Sequence, residues 1–195
     1  MIPPLAALGA ADRWLLLKIN REWTAPLLDK VMPVITDIHK VPWFLYGVGP
    51  AMLGLWLWKG RKQALKVLVV AVLAMGAGDL IAHRVLKPWA ARPRPERTLG
   101  GQVTMRAPAN GAYGFPSNHA INMGAAASVL TYAYPGGALL FAGAAALVAY
   151  SRVYVGAHYP IDVLAGLILG VGIGWPWAAL MLGGASGSAA KKKRK

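Results

Sequence analysis

Cysteine is absent from the 195 residues of this chain, which excludes a disulfide framework, a thiol nucleophile and any thiolate metal site. Acidic residues are scarce too: seven Asp and Glu stand against 21 Lys and Arg, giving a formal net charge of +14. Carboxylates this few and this scattered do not build an oxygen-ligand metal cage, so neither a metal nor another cofactor is expected. The surplus of positive charge does not indicate nucleic acid, because the basic residues cluster between apolar runs rather than along a soluble helix or an aromatic-studded strand. Also missing are internal repeats and, over the first twenty residues, the basic start, sustained apolar stretch and cleavage site of a secretory signal, Arg13 being the earliest basic residue.

What the chain does have is apolar sequence. Hydrophobic residues make up 56% and charged ones 14%, a balance foreign to a soluble globule. A membrane-spanning helix needs roughly 20 predominantly apolar residues, and five segments qualify: Trp43 to Trp58, Val67 to Leu86, Ala120 to Tyr134, Ala138 to Tyr154 and Ile161 to Leu182. The expected fold is therefore all-α, a polytopic transmembrane helical bundle forming a single domain over 1–195. The third and fourth spans are short and rich in Ala and Gly, which suits close packing inside the bundle. Residues 1–40 mix apolar positions with Asp12, Arg13, Lys18, Arg21, Glu22, Asp29, Lys30 and Asp37, the pattern of amphipathic helices at the interface. A sixth span hidden there is the alternative. Residues 183–195 read as a flexible, basic tail drawn to anionic headgroups.

Short loops rich in Lys and Arg favour the cytoplasmic side. Lys59, Arg61, Lys62 and Lys66 lie between the first two spans, and Lys191 to Lys195 follow the last. With five spans both clusters fall on one side, which is therefore cytoplasmic. The segment from Lys87 to Ser117 is then external although it carries Arg92, Arg94, Arg97 and Arg106. Snorkelling at helix ends is one explanation. Retention of the charges for binding an anion is the other.

Three polar groups sit where spans meet that external side. In KPWAARPRP the prolines are expected to take the chain out of the helix after Lys87, holding Lys87 and Arg94 near the surface. Guanidinium offers paired donors to phosphate oxygens and lysine a movable point charge. Upstream, Asp79, His83 and Lys87 recur every four residues and share a helix face. In FPSNHA, Ser117 is a candidate N-cap of an alanine-rich helix, whose free N–H groups bind anions and set His119 beside them. In SRVYVGAHYPID, Pro160 suits the first turn of a new helix, so Asp162 reaches back to His158 and fixes its tautomer while Arg152 supplies a further donor. Each group has a plainer reading alone: an ion pair for Asp79, a satisfied polar side chain for His119, an interfacial His–Asp pair with a snorkelling arginine for the third.

Together the spacing is far more specific. Lys87, Arg94-Pro95; Pro116-Ser117-Asn118-His119; and Ser151-Arg152, His158, Asp162 resemble, in order, the motifs of the type 2 phosphatidic acid phosphatase (PAP2) family, over roughly Trp43 to Leu182. The resemblance implies a cofactor-free, metal-independent hydrolase of phosphomonoesters or pyrophosphates acting through a phosphohistidine. By position, His158 is the expected nucleophile, Asp162 its orienting group and His119 the acid for the leaving oxygen. Lys87, Arg94, Ser117, Arg152 and the backbone near Asn118 are expected to hold the phosphoryl oxygens. That division matches what phosphoryl transfer requires: positive donors around the equatorial oxygens and an aligned nucleophile and leaving group. Asn118 departs from the family, which usually has Gly there, and bears on specificity. Lipid phosphates or pyrophosphates and membrane lipids are the expected partners, with undecaprenyl pyrophosphate the first choice. Lipid A 1-phosphate, phosphatidylglycerol phosphate and phosphatidic acid are the alternatives. The expected setting is a bacterial inner membrane with the site on its periplasmic or outer face. A vanadium-dependent haloperoxidase shares such a site but is larger and soluble, and a non-enzymatic lipid-phosphate carrier would not need both histidines.

Overall fold

A computed structural model of the chain describes the backbone of residues 3–109 and 111–192 and the side chains of 9–109 and 111–183. Its helices are α1 (Pro3–Leu17), α2 (Pro26–Thr36), α3 (Gly49–Ile81), the one-turn α4 (Lys87–Ala90) and α5 (Pro95–Leu99), α6 (Asn118–Ala133), α7 (Ala138–Tyr154) and α8 (Pro160–Lys192). Among the described residues the only strand-like pairing is one bridge between Pro93 and Tyr113. The all-α expectation holds.

Among the described residues, three stretches are long and apolar enough to cross a membrane: Phe44–Ala90, Pro135–Tyr154 and Pro160–Gly183. The first contains 47 residues, about 70 Å if straight at roughly 1.5 Å per residue, over twice the roughly 30 Å hydrocarbon layer. It is not straight, because α3 breaks at Arg61 (φ 46°, ψ −128°). The two legs run opposite ways: just before the first, the His39 ring lies 6.0 Å from that of His119 near the start of α6; Trp56 meets Tyr134 at the far end of α6, and Gly78 returns to Ile121 near its start. Exposed Leu139, Leu140, Leu164, Ile168 and Leu180 give the bundle its apolar exterior, as lipid contact demands.

Helix α6 is the central element, touching α3, α7 and α8. Its partner α8 presents Gly166, Gly170 and Gly174 at four-residue intervals. A Cβ on Gly166 would lie 2.7 Å from the Ser117 carbonyl oxygen, one on Gly174 2.6 Å from that of Ala125, and one on Gly170 would overlap that of Ile121. Only hydrogen in place of a side chain allows the two backbones this close. The consequence is positional: the first turns of α6 and α8 are joined, with the Ser117 N–H donating to the Asp162 carbonyl at 3.0 Å. The inward placement expected of α7 is not found, since Leu139 is 92% exposed. Its small residues serve one face only.

Helices α1 and α2 are present as expected, with Arg13, Asp29 and Lys30 exposed, but Asp12 and Thr36 turn inward. They lie across the end of the bundle where α6 and α8 begin, α1 against α8 and α2 against α7. Asp12, Leu16 and Asn20, spaced by four, form one buried face. Among the described residues neither helix is long and apolar enough to cross a membrane. At the other terminus α8 continues to Lys192, so the flexible tail expected from 183 is helical that far. The alanines of this sequence have the helix propensity that its glycines and serines lack. The basic residues at 193–195 lie outside the described residues.

Candidate active site

The coil between α7 and α8 builds the first half of the site. Gly156 turns it with φ 83°, a conformation open to glycine, and the N–H groups of Ala157 and His158 both donate to the Arg152 carbonyl at 3.1 and 3.2 Å. Pro160 then opens α8, and Asp162 falls in its first turn. Both side chains are buried, His158 at 2% exposure and Asp162 at 0%. Asp162 Oδ2 accepts the Tyr159 N–H at 3.0 Å and Oδ1 accepts from Arg92 Nη1 at 2.7 Å. His158 Nδ1 lies 3.5 Å from Asp162 Oδ2, while Arg94 Nη1 stands 3.1 Å from Nε2 on the ring's other side. A guanidinium donates and never accepts, so Nε2 carries the lone pair and Nδ1 the proton facing Asp162. Burial foremost pulls the His158 pKa down to about 4; the Asp162 carboxylate opposes this, while Arg94 and Arg152 reinforce it. The imidazole is neutral at ordinary pH with its free lone pair on Nε2.

Of the expected anion donors, Arg94 is the one in contact with that nitrogen. Lys87 is buried, and its Nζ donates to the carbonyls of Pro116 at 3.1 Å and Tyr113 at 3.4 Å. Pro88 is tolerated at the start of α4, so the helix persists one turn past Lys87 before Ala91 ends it in the left-handed region. The extended backbone expected there begins later, reaching Arg94 (φ −72°, ψ 160°). Arg94 also donates from Nε to Gly111 and from Nη1 to Ala157. Ser117 occupies the N-cap position of α6 but makes no side-chain cap bond, and its buried Oγ has no hydrogen-bond partner among the described residues. Its hydroxyl is thus not committed to the helix. Arg152 Nη1 donates to Thr36 Oγ1 at 2.9 Å, and its Nε is buried without a partner among the described residues.

Asn118 takes a different course. Its amide nitrogen donates to Asp79 Oδ1 and lies 3.1 Å from His83 Nδ1, so this side chain points toward the span that carries Asp79. Asn122 donates to Asp79 Oδ2 at 3.3 Å. The ion pair considered for Asp79 is absent among the described residues; two amides serve instead. A carboxylate at mid-helix costs about 2.5–3.5 kcal/mol on insertion scales, which these amides offset.

His119, in the first turn of α6, faces the N-terminal cap. Its Nε2 lies 3.4 Å from Asp37 Oδ1, and Asp37 is also 4.0 Å from Arg152 Nη1 and 3.0 Å from Lys40 Nζ. Burial raises the Asp37 pKa, but Lys40, Arg152 and His119 outweigh it and hold the carboxyl below its usual range. Sequence reasoning missed Thr36 and Asp37 as neighbours of the site. It also missed Asp12, which pairs with Arg92 and accepts the Ile161 N–H at 2.9 Å, so that Asp12, Arg92, Asp162 and His158 form one chain. Arg92 further stacks 4.3 Å above the Tyr159 ring. The four-residue spacing of Asp12, Leu16 and Asn20 was the available signal. Among the described residues, the group able to hold a metal ion is Asp37, His39 and His119, whose donor atoms lie within 4.8 Å of one another.

Known proteins share this architecture. The undecaprenyl-diphosphatase of Sulfolobus acidocaldarius is 34% identical over 56% of this chain and 51% of its own length. The lipid A 4'-phosphatase of Porphyromonas gingivalis is 27% identical over 76% of this chain and 64% of its own length. The chain thus spans between about half and two thirds of these curated relatives. Among solved structures, a transmembrane PAP2-type phosphatidylglycerolphosphate phosphatase from Bacillus subtilis superposes with a TM-score of 0.64 at 26% identity, covering 89% of this chain and 86% of that one. The PAP2 superfamily profile matches residues 52–183, a stretch that contains all three motifs and the helices holding them; this integral membrane protein belongs to the PAP2 superfamily.

Proposed function

We propose that the protein is a lipid phosphatase working through a phosphohistidine on His158. The observation that carries this is the placement of His158 between Asp162 at Nδ1 and Arg94 at Nε2. Nε2 attacks the terminal phosphorus as its bond to the leaving oxygen breaks, the alcohol oxygen of a phosphomonoester or the bridging oxygen of a pyrophosphate, and His119 gives that oxygen a proton. Asp162 stabilises the imidazolium formed. Water then attacks the phosphohistidine, yielding its proton to His119, and the P–N bond breaks to release phosphate. Lys87, Arg94, Ser117, Arg152 and the N–H groups opening α6 surround the equatorial oxygens, where the transition-state charge lies. The Asn118 side chain acts indirectly, through Asp79.

The substrate enters from the membrane with its tail left in the bilayer, and undecaprenyl pyrophosphate is the foremost candidate. This arrangement takes five crossings, the two legs of the helix broken at Arg61, then α6, α7 and α8; the apolar stretches Phe44–Ala90, Pro135–Tyr154 and Pro160–Gly183 and the break itself support it. Lys59, Arg61, Lys62 and Lys66 then face the cytoplasm and the site faces the periplasm or exterior of a bacterial inner membrane. Retention of both histidines argues against a non-catalytic carrier. The test is phosphate release by purified protein on undecaprenyl pyrophosphate, lipid A 1-phosphate, phosphatidylglycerol phosphate and phosphatidic acid. The highest kcat/KM is expected on the first; binding of all four without turnover would reject the enzyme.

A further inference from the structure

We infer that Asp37, His39 and His119 form a binding site for a divalent ion of the zinc type, and that its occupancy switches the enzyme off. The inference rests on the reading of His119 as the acid. Donor atoms of the three residues lie within 4.8 Å of one another. The 3.4 Å between His119 Nε2 and Asp37 Oδ1 suits two ligands of one tetrahedral ion with bonds of about 2.0–2.2 Å. Both atoms are buried, and neither has a partner in hydrogen-bond geometry among the described residues. Two imidazoles and a carboxylate select a borderline transition ion; magnesium or calcium would demand more oxygens.

The third ligand gives the ion a way in. His39 is exposed on the short turn Ile38–Lys40 linking α2 to the first crossing, and its ring lies 6.0 Å, centroid to centroid, from that of His119. Closing the set needs only movement of that exposed side chain. Two cations oppose the ion. Lys40, 3.0 Å from Asp37 Oδ1, has a mostly exposed side chain that swings into water, whereas Arg152 at 4.0 Å is fixed and weakens the site. Binding is therefore reversible rather than structural. A ring nitrogen bound to metal cannot also hold a proton, so His119 loses its capacity as an imidazolium acid while His158 and Asp162 stay as they are.

The experiment uses full-length protein purified through a histidine-free tag and stripped with EDTA. Zinc binding is measured by titration calorimetry, and phosphate release from a lipid phosphomonoester is followed against free zinc for wild type, His39→Ala and His39→Glu. Wild type should bind zinc and lose turnover over the same concentration range, with recovery on adding EDTA. Since even an outer-sphere partner is worth roughly 10–100-fold in metal affinity, His39→Ala should shift both curves by more than about tenfold, with zinc-free turnover unchanged. His39→Glu, which restores a ligand, should regain the sensitivity. Equal zinc binding by wild type and His39→Ala, or zinc binding without loss of wild-type turnover, would overturn the inference. Absence of turnover in EDTA would reject the phosphatase reading instead, and calorimetry would still decide the ion site.

Discussion

Arg94 Nη1 stands 3.1 Å from His158 Nε2, the nitrogen to which the proposed mechanism assigns the attack on phosphorus. Under that mechanism one contact joins phosphate recognition to the nucleophile, and an entering phosphoryl group takes over the guanidinium as it meets the lone pair. Burial first, and the Arg94 charge as well, bring the His158 pKa from 6.5 to about 4. The ring is neutral above that value and protonated below it, so activity present at neutral pH is lost as pH falls through about 4. The acid limb of kcat/KM should lie there in wild type. In Arg94→Gln, with one repelling charge removed, the limb should move toward neutrality, alongside a raised KM. A wild-type limb near 6.5 would contradict the proposed environment of the nucleophile.

The two histidines should fail differently. His158→Ala should abolish turnover and any acid-quenched phosphoenzyme while leaving Lys87, Arg94 and Arg152 to bind substrate. His119→Ala should lose roughly a hundred- to ten-thousand-fold on a lipid phosphomonoester, whose leaving group is an alcohol, the usual worth of a general acid, and far less on an activated aryl phosphate whose leaving group needs no proton. Phosphoenzyme in His158→Ala but not in His119→Ala would exchange the two roles.

Arg92 bridges two fully buried carboxylates, those of Asp12 and Asp162. Arg92→Ala leaves both without their cation, a change typically costing about 3–5 kcal/mol for a buried pair. The melting temperature in detergent should fall, and kcat should fall more than KM rises, because Asp162 loses its orientation toward His158. A double variant with Asp12→Asn should recover part of the stability.

In the proposed mechanism Lys87, Arg94 and Arg152 supply the positive charge that a catalytic ion supplies in metal-dependent phosphoryl transfer. Turnover should consequently persist in excess EDTA. Activity that disappeared on chelation and returned only with added magnesium or zinc would defeat the mechanism.

The orientation of the site is open to a chemical test in this cysteine-free chain. A Cβ at Gly101 meets nothing within 4 Å, so Gly101→Cys should fold normally and react with an impermeant thiol reagent in intact cells. Reaction only after the membrane is broken would reverse the topology.

Long apolar runs made the membrane helices legible, and the fixed spacing of Lys87, Arg94, Ser117, His119, Arg152, His158 and Asp162 made the family legible, because each motif is local in sequence. The N-terminal cap was not legible in the same way. Asp12, Asn20, Thr36 and Asp37 look like the wet face of an interfacial helix until their partners Arg92, Tyr154, Arg152 and His119 are known, and those lie far along the chain. The partner of Asp79 was missed for a related reason. Two amides from another helix, Asn118 and Asn122, serve where a cation was considered.

The cap also has an order in time. Asn20 donates to the Tyr154 carbonyl and Asp12 accepts the Ile161 N–H, so these two residues are synthesised 134 and 149 positions ahead of their partners. Chains emerge at about 5–20 residues per second; Asp12 and Asn20 first meet Arg92 and Thr104, which follow 80 and 84 positions behind, and wait several seconds more for Ile161 and Tyr154. Insertion of the helices can proceed without these bonds. This end of the bundle is finished only when α8 arrives, because Asp162 and the Ile161 N–H come with it.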